Sequence, residues 1–259
     1  MGLLLLKLFL APLLVVASTL AGRKWGPGIA GILVGQPVVA GPILFITYLQ
    51  HGRGFASAAA TSSLLGVASL AVFALVFSRA ARRFGWLATL ATGWAAVLAV
   101  DAALSVVHVT ALPAFVFTLA AIAVAMIVMP RANTERRGAQ ALSAPSWDLP
   151  GRAVATGLLV LTVTTASSAL GPHWTGLLAP FPIAISVVAA FVHAQHGHLE
   201  TARTLMGALL GLVSLAAFCL SVAVLVRPIG GTAFLVGVAV AVAAQLLVIQ
   251  GRRIGLRAT

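Results

Sequence analysis

A single carboxylate stands well inside a long apolar run of this sequence. Asp101 lies in VLAVDAALSV, and a carboxylate carried into a bilayer is costly unless it is protonated or paired. Two interpretations follow. Asp101 could bind and release a proton and so couple proton flow to transport, or it could form a structural ion pair with Lys7, which is predicted at a similar depth in the first apolar run. The sequence leaves both open.

Prolines interrupt two other apolar runs at corresponding places. Pro37 and Pro42 lie in GQPVVAGPI, and Pro180 and Pro182 lie in APFPIAI. A proline inside a helix removes a backbone hydrogen bond and leaves carbonyl groups free, which at mid-bilayer depth only protein or a water-filled cavity can satisfy. These breaks therefore predict a substrate site. The simpler interpretation is that they are kinks that serve helix packing.

Small polar side chains are expected to line the same cavity. The predicted substrate-binding residues are Gln36, Pro37, Pro42, Thr61, Ser62, Thr164, Thr165, Pro180 and Pro182. Serine and threonine also join membrane helices through hydrogen bonds, which is the commoner role for any one of them.

The tripeptide Gln-His-Gly occurs twice, and its histidines, His51 and His196, are predicted just past the ends of two helices. They are candidate gate residues on opposite faces of the membrane, or hydrogen-bonded caps without further function. The spacing of His193, His196 and His198 is poor for a tetrahedral metal site. Since the sequence also lacks a phosphate-binding loop and an H-E-x-x-H motif, we expect no cofactor, no metal and no enzymatic activity.

The composition is typical of a helical membrane protein. Of 259 residues, 61% are hydrophobic and only 8% are charged, too few to cover a water-facing surface. Apolar runs of roughly 20 residues recur along the chain, whereas a β-barrel would show alternation. The net charge of +12 is spread over short loops, so the expected partner is the lipid bilayer and not nucleic acid. The single cysteine, Cys219, excludes an intrachain disulfide.

Charged residues and Pro/Gly positions divide the chain into nine candidate spans. They are 3–21, 28–48, 56–78, 86–107, 111–129, 153–170, 174–194, 203–225 and 231–250. With nine spans, 13 of the 16 lysines and arginines fall on one side of the membrane, and Lys7, Arg53 and Arg227 fall on the other. Because cytoplasmic loops are enriched in basic residues, the amino terminus is predicted outside and the carboxyl terminus in the cytoplasm. Arginine outnumbers lysine 14 to 2, and Ala, Val and Leu dominate, which is typical of a protein from a GC-rich bacterial genome.

The chain matches itself at a shift of 145 residues. Between 26–75 and 171–220, 16 of 50 positions are identical without a gap, and Gln-His-Gly is among them. Each copy would contain four spans, and the span between the copies would invert the second relative to the first. The predicted organisation is a first repeat at 1–110, a bridging helix at 111–130, a cytoplasmic linker at 131–152 and a second repeat at 153–259.

The second copy, GPHWTGLLAPFPIAISVVAAFVHAQHGHLETARTLMGALLGLVSLAAFCL, resembles the GlpM family of small four-helix bacterial inner-membrane proteins, and the first copy resembles it less clearly. Those proteins likewise have a glycine and a proline in the second span and a serine and an aromatic residue in the third. The resemblance implies a polytopic inner-membrane protein and supplies no substrate. This chain departs from the family in joining two units through a bridging helix.

Inverted repeats with interrupted helices are typical of secondary transporters that work by alternating access. We therefore expect a secondary transporter or flippase for a small neutral or anionic solute or lipid, with proton coupling at Asp101 as one option. The alternative is a non-transporting scaffold subunit of an envelope-polymer or lipid biosynthesis complex. An intramembrane enzyme would need a pair of catalytic groups that the sequence does not offer. A homodimer is compatible with either function.

Overall fold

The computed structural model describes residues 2–37, 40–107, 109–130, 145–170 and 181–255, and these ranges contain helices and no strand. The helices are α1 Gly2–Trp25, α2 Pro27–Val34, α3 Ala40–Ala80, α4 Trp86–Leu104, α5 Ala111–Val128, α6 Asp148–Leu170, α7 Ile183–Ile229 and α8 Thr232–Gly255. The predicted all-α class is confirmed. Pro180, His108 and most of the predicted linker lie outside the described residues.

Five of the described helical segments are long and apolar enough to cross a membrane. They are Ala40–Ala80, Trp86–Leu104, Ala111–Val128, Ile183–Ile229 and Thr232–Gly251. Large apolar side chains also cover the outside of these segments: Ile127 on α5 is 75% exposed and Leu235 on α8 is 74% exposed. A helix that is apolar on its outer face needs lipid around it, so the expectation of a membrane-embedded helical protein is confirmed.

Two glycines divide the longest helices. Gly52 has φ 80° and ψ −176°, and Gly197 has φ 80° and ψ −174°, a backbone conformation open almost only to glycine. We call the segments on either side α3a (40–51) and α3b (53–80), and α7a (183–196) and α7b (198–229). Loops were expected here, at 49–55 and 195–202. The structure differs because a single glycine suffices to redirect the chain between two helices.

Helices α3b and α7b form the centre of the molecule and run antiparallel. At one end, Arg53 Nη1 donates a hydrogen bond of 3.2 Å to the Arg227 carbonyl, and Ser57 Oγ donates one of 2.7 Å to the Ala223 carbonyl. Residues early in α3b thus lie beside residues late in α7b. The largest fully buried side chains concentrate on these segments and include Phe73, Phe77, Leu205, Leu209 and Phe218. Helices α4 and α5 pack on α3, and α8 packs on α7.

The short helix α2 packs on α7b through glycines. A Cβ added at Gly31 would overlap the Thr204 carbonyl oxygen, and one at Gly207 would overlap the Gly28 carbonyl oxygen. A Cβ at Gly35 would lie 2.6 Å from the Ala208 carbonyl oxygen. Small residues at such spacing let two membrane helices approach backbone to backbone. The pairs Gly31-x-x-x-Gly35 and Gly207-x-x-x-Gly211 are readable in the sequence, although the predictions above do not use them.

Helix α6 begins earlier than predicted. It starts at Asp148, inside the segment 131–152 expected to be a linker, and it packs against α1. Asp148 in the first turn favours helix initiation, and its ion pair with Arg152 one turn later, at 2.9 Å, ties that turn together.

Candidate functional site

The interruption of the helix between α2 and α3 borders a cavity of about 600 Å³. Three of the predicted substrate-binding residues, Gln36, Pro37 and Pro42, line it together. The rest of its wall is apolar and consists of Gly41, Phe45, Phe218, Phe234, Val238, Ala241 and Val242. The structure thus assembles this cavity from the break in the first half of the chain and from α7 and α8 of the second half.

One polar residue of this cavity, Gln36, belongs to an amide pair. Gln36 Nε2 donates a hydrogen bond of 2.9 Å to Gln245 Oε1 across 209 residues of sequence. Gln245 is buried, and its own Nε2 has no hydrogen-bond partner among the described atoms. A buried amide donor without a partner is costly, and Gln245 itself does not line the cavity.

Of the predicted prolines, Pro37 and Pro182 precede α3 and α7, and Pro42 lies in the first turn of α3. The amide of Gly41 donates to the Pro37 carbonyl at 2.8 Å, and the amide of Ser186 donates to the Pro182 carbonyl at 2.8 Å. Each of these two prolines thus caps the first turn of the helix that follows it, where the missing amide donor leaves no intrahelical hydrogen bond unmade. Pro182 is buried and caps α7.

Two of the remaining predicted polar residues, Thr61 and Ser62, do not line this cavity. Thr61 Oγ1 donates to the Ser57 carbonyl within its own helix at 3.0 Å, and Ser62 is half-buried on the same helix. Neither lines the cavity at Gln36. The side chains of Thr164 and Thr165 lie outside the described part of the structure. Hydrogen bonding within the helix is the role that Thr61 shows.

Asp101 is buried between α4 and α3. Its side chain is 1% exposed and accepts a hydrogen bond from the Ser69 hydroxyl. No lysine or arginine among the described side chains forms an ion pair with it. The rival partner, Lys7, has a side chain outside the described set, so the ion pair stays a prediction. Asp101 does not line the cavity at Gln36.

The two repeated histidines have different surroundings. Each directly precedes its kink glycine, as the motif requires. His51 is exposed, with its ring 4.7 Å from that of Phe55. His196 is half-buried and lines a small second cavity. Within the described ranges, no group of three His, Cys, Asp or Glu side chains could hold a metal ion.

That second cavity, of about 60 Å³, surrounds a buried ionic cluster that the sequence analysis missed. Asp148 is 1% exposed and accepts hydrogen bonds from Arg23 at 2.8 Å, from Arg152 at 2.9 Å and from Gln195 at 2.6 Å. The cluster joins the end of α1, the start of α6 and the end of α7a. The spacing Asp148–Arg152 is readable as a helix-initiating pair. The contacts with Arg23 and Gln195 span 125 and 47 residues, and periodicity carries no signal for them.

The surroundings of Asp148 favour its charged form. Burial by itself raises the pKa of this carboxyl, but hydrogen bonds from Gln195 and Arg23 and the charge of Arg152 outweigh burial, so that the pKa lies below its usual value. Asp148 precedes the predicted span 153–170. At neutral pH the cluster therefore holds a carboxylate between two guanidinium groups, which is an electrostatic clamp between three helices.

Comparison with protein-family models, with curated proteins and with solved structures finds no match to this chain.

Proposed function

We propose that the chain is a secondary transporter or flippase that moves a small neutral or anionic solute or lipid across a bacterial inner membrane by alternating access. The observation that carries the proposal is the antiparallel packing of α3b against α7b, marked by the bonds Arg53–Arg227 and Ser57–Ala223. These helices are equivalent under the 145-residue repeat. Equivalent helices that run in opposite directions are what an inverted repeat requires.

Two further pairs of matched features support nine transmembrane helices in two inverted four-helix repeats. Gly52 and Gly197 are repeat equivalents and share their dihedral angles within 2° in ψ. Pro37 and Pro182 are also equivalents, and each carbonyl accepts from the residue four positions on. Helix α5 lies between the repeats and would be the bridge. The resemblance of each half to the GlpM family fits this arrangement.

The cavity at Gln36 is the proposed substrate site. Its wall is apolar except for Gln36, and no carboxylate lines it. Amides recognise neutral acceptors and donors and bring no charge of their own. A neutral solute, or an amphiphile whose apolar part fills the cavity, therefore suits this site better than a cation.

The Asp148 cluster is the proposed gate on the opposite side. Alternating access needs one side closed while the other is open. Asp148 holds α1, α6 and α7a together at the end that carries Arg23 and Arg152, an end that the distribution of basic residues assigns to the cytoplasm. His196 lies in this closed region, whereas its equivalent His51 is exposed. One exposed and one enclosed histidine are expected if the two act as gate residues that become accessible alternately from opposite sides of the membrane.

Asp101 is the proposed proton-coupling residue. It is buried within a predicted span and has the neutral hydroxyl of Ser69 as its described hydrogen-bond partner. A carboxyl group in such a place changes between protonated and charged forms when its access to water changes. Its repeat equivalent is Leu246, so only one half of the molecule carries this group.

The purified chain in liposomes tests the proposal. Flip of labelled lipids and uptake of neutral and anionic solutes are measured with and without a pH gradient. We expect cargo movement that a pH gradient accelerates, and we expect Asp101→Asn to abolish the acceleration.

Glu200→Gln is the matched control because it also removes one acidic side chain, in a partly exposed pair with Arg203. Unchanged acceleration in Asp101→Asn would remove Asp101 from the mechanism. No movement of any tested cargo would favour the scaffold function instead.

A further inference from the structure

The cavity at Gln36 continues toward Arg53. An adjacent cavity, of about 630 Å³, is lined by residues that include Tyr48, Arg53 and Thr232. Both cavities share Phe45, Phe234 and Val238, so they form one groove between α3a and α8. We call it the lateral groove; it reaches from Arg53 at one end to Gln36 at the other.

The lateral groove is about as long as the hydrocarbon part of one membrane leaflet is thick. On α8 its lining residues extend from Thr232 to Val242. Ten residues of α-helix rise about 15 Å. The hydrocarbon core of a bilayer is about 30 Å thick, so the groove covers about half of it. One acyl chain of a lipid fits this length.

Aromatic rings form the wall of the groove. The centroids of Phe45 and Phe234 are 5.1 Å apart, those of Tyr48 and Phe234 are 5.8 Å apart, and those of Phe218 and Phe234 are 6.4 Å apart. Apart from Gln36, whose amide is bonded to Gln245, the inner part is apolar. Such a wall suits a hydrocarbon chain and offers little to a hydrated solute.

The outer end of the groove is polar and cationic. An atom added at Gly230 would lie 3.1 Å from Arg53 Nη2 and 3.1 Å from the Tyr48 hydroxyl, so both groups converge there. Arg53 is exposed, and its Nη1 is directed to the Arg227 carbonyl. None of the acidic residues that the structure describes, Asp101, Asp148 and Glu200, lines the groove. The charge of Arg53 is therefore not neutralised there, and it complements an anion.

We propose that the lateral groove binds an anionic phospholipid, with one acyl chain along the aromatic wall and the phosphate at Arg53. This inference rests on the proposed function, because it selects anionic phospholipids from the solutes and lipids proposed there as cargo. Binding, however, can be measured where no transport occurs. Any lipid can enter an open groove, and the sign of the charge at its rim selects among them.

Native mass spectrometry of the full chain in detergent tests the proposal, with dioleoyl phosphatidylglycerol and dioleoyl phosphatidylcholine added in equal amounts. We expect phosphatidylglycerol to be retained over phosphatidylcholine by about fivefold. Arg53→Gln should bring this ratio close to one, and Arg53→Lys should keep most of it. Arg83→Gln is the matched control and should leave the ratio unchanged, since Arg83 lies outside the groove.

A second pair of variants tests the position of the chain. Val238→Trp would fill the groove and should lower the retention of both lipids, whereas Leu247→Trp, at an exposed position of α8 outside the groove, should not. Thermal unfolding of each variant reports whether it folds. An equal ratio in the unaltered protein and Arg53→Gln would overturn the proposal. Oleate, added separately, supplies an acyl chain and a carboxylate but no phosphate. A protein that retains oleate and does not retain phosphatidylglycerol would also overturn the proposal. If the protein retains phosphatidylglycerol but moves no cargo in liposomes, the lipid site is supported and the proposed transport function is wrong.

Discussion

Asp148 is the residue whose surroundings differ most from what its neighbours in sequence suggest. It lies in the polar stretch before an apolar run, yet its side chain is buried under Arg23, Arg152 and Gln195. A buried carboxylate is tolerated when charged and hydrogen-bonded partners replace water, and removal of one member leaves the others buried without a partner.

The depressed pKa of Asp148 gives a pH dependence with a defined sign. A carboxyl whose folded pKa lies below its unfolded value, about 3.9, stabilises the fold above that value and loses this contribution as the pH falls through the folded pKa. We therefore expect the Tm of the protein in detergent to fall below about pH 4. In Asp148→Asn this part of the decline should be absent.

The same variant should be less stable at pH 7 by about 3 kcal/mol, because Arg152 would remain buried without its anion. Glu200→Gln provides the comparison: its pair with Arg203 is partly exposed, so its loss should cost under about 1 kcal/mol. Equal Tm values for Asp148→Asn and the unaltered protein at pH 7 would contradict the role given to the cluster.

Single residues differ in how far the sequence reveals them. The sequence singles out Asp101 because an acidic residue in an apolar run is rare and needs an explanation. The structure shows that this side chain is buried, as the sequence predicts. Gln245 is also buried, but the sequence does not single it out, because a glutamine close to the end of the predicted span 231–250 is ordinary. Only the fold brings Gln245 to Gln36, and only then does the pair become a polar point beside an apolar cavity.

At the scale of the helices, the kinks in α3 and α7 test whether the backbone conformation at Gly52 and Gly197 requires glycine. Around Gly52 and around Gly197 no atom lies within 4 Å of an added Cβ, so space is not the constraint. The constraint is φ near 80° with ψ near 180°, which side chains strongly disfavour.

Gly52→Ala and Gly197→Ala should each lower the free energy of unfolding by about 1–3 kcal/mol, and by similar amounts. Gly54→Ala is the matched control: Gly54 lies in the helix, and an added Cβ there meets nothing within 4 Å. It should stabilise by about 0.5 kcal/mol, since alanine restricts the unfolded chain. Tm and chemical denaturation in detergent measure all three. A neutral Gly52→Ala would mean that the kink forms without glycine.

The helices also show which boundaries hydrophobic periodicity predicts correctly and which it does not. The positions of α4 and α5 agree closely with the spans 86–107 and 111–129, because an apolar run with a Pro-containing break leaves little choice. The segment after Gln50 was expected to be a loop since His, Gly and Arg follow one another. Helix continues on both sides of Gly52, because one residue with positive φ makes the turn that a loop would otherwise make.

At the scale of the whole molecule, the antiparallel packing of α3b and α7b separates two arginines. Arg53 lies beside Arg227 at one end of α7b, and Arg203 lies 24 residues earlier on that helix. That length of helix rises about 36 Å, more than the thickness of the hydrocarbon core.

We therefore expect Arg53 and Arg203 to face opposite compartments. In a Cys219→Ala background, Arg53→Cys should react with an impermeant maleimide added outside intact cells. Arg203→Cys should react only after permeabilisation, and Arg83→Cys, beyond the far end of α3b, should behave as Arg203→Cys does. Reaction of Arg53→Cys and Arg203→Cys from the same side would exclude the inverted arrangement.

By itself, the sequence determined that this chain is a helical membrane protein and where α4 and α5 lie. Those properties follow from the transfer of apolar runs into lipid and from the backbone preferences of proline and glycine, which act locally. Tertiary structure alone decided that Gln36 meets Gln245, that Asp148 joins three helices and that an arginine stands at the mouth of an aromatic groove. These contacts depend on how helices distant in sequence pack, and many sequences of the same periodicity would pack differently.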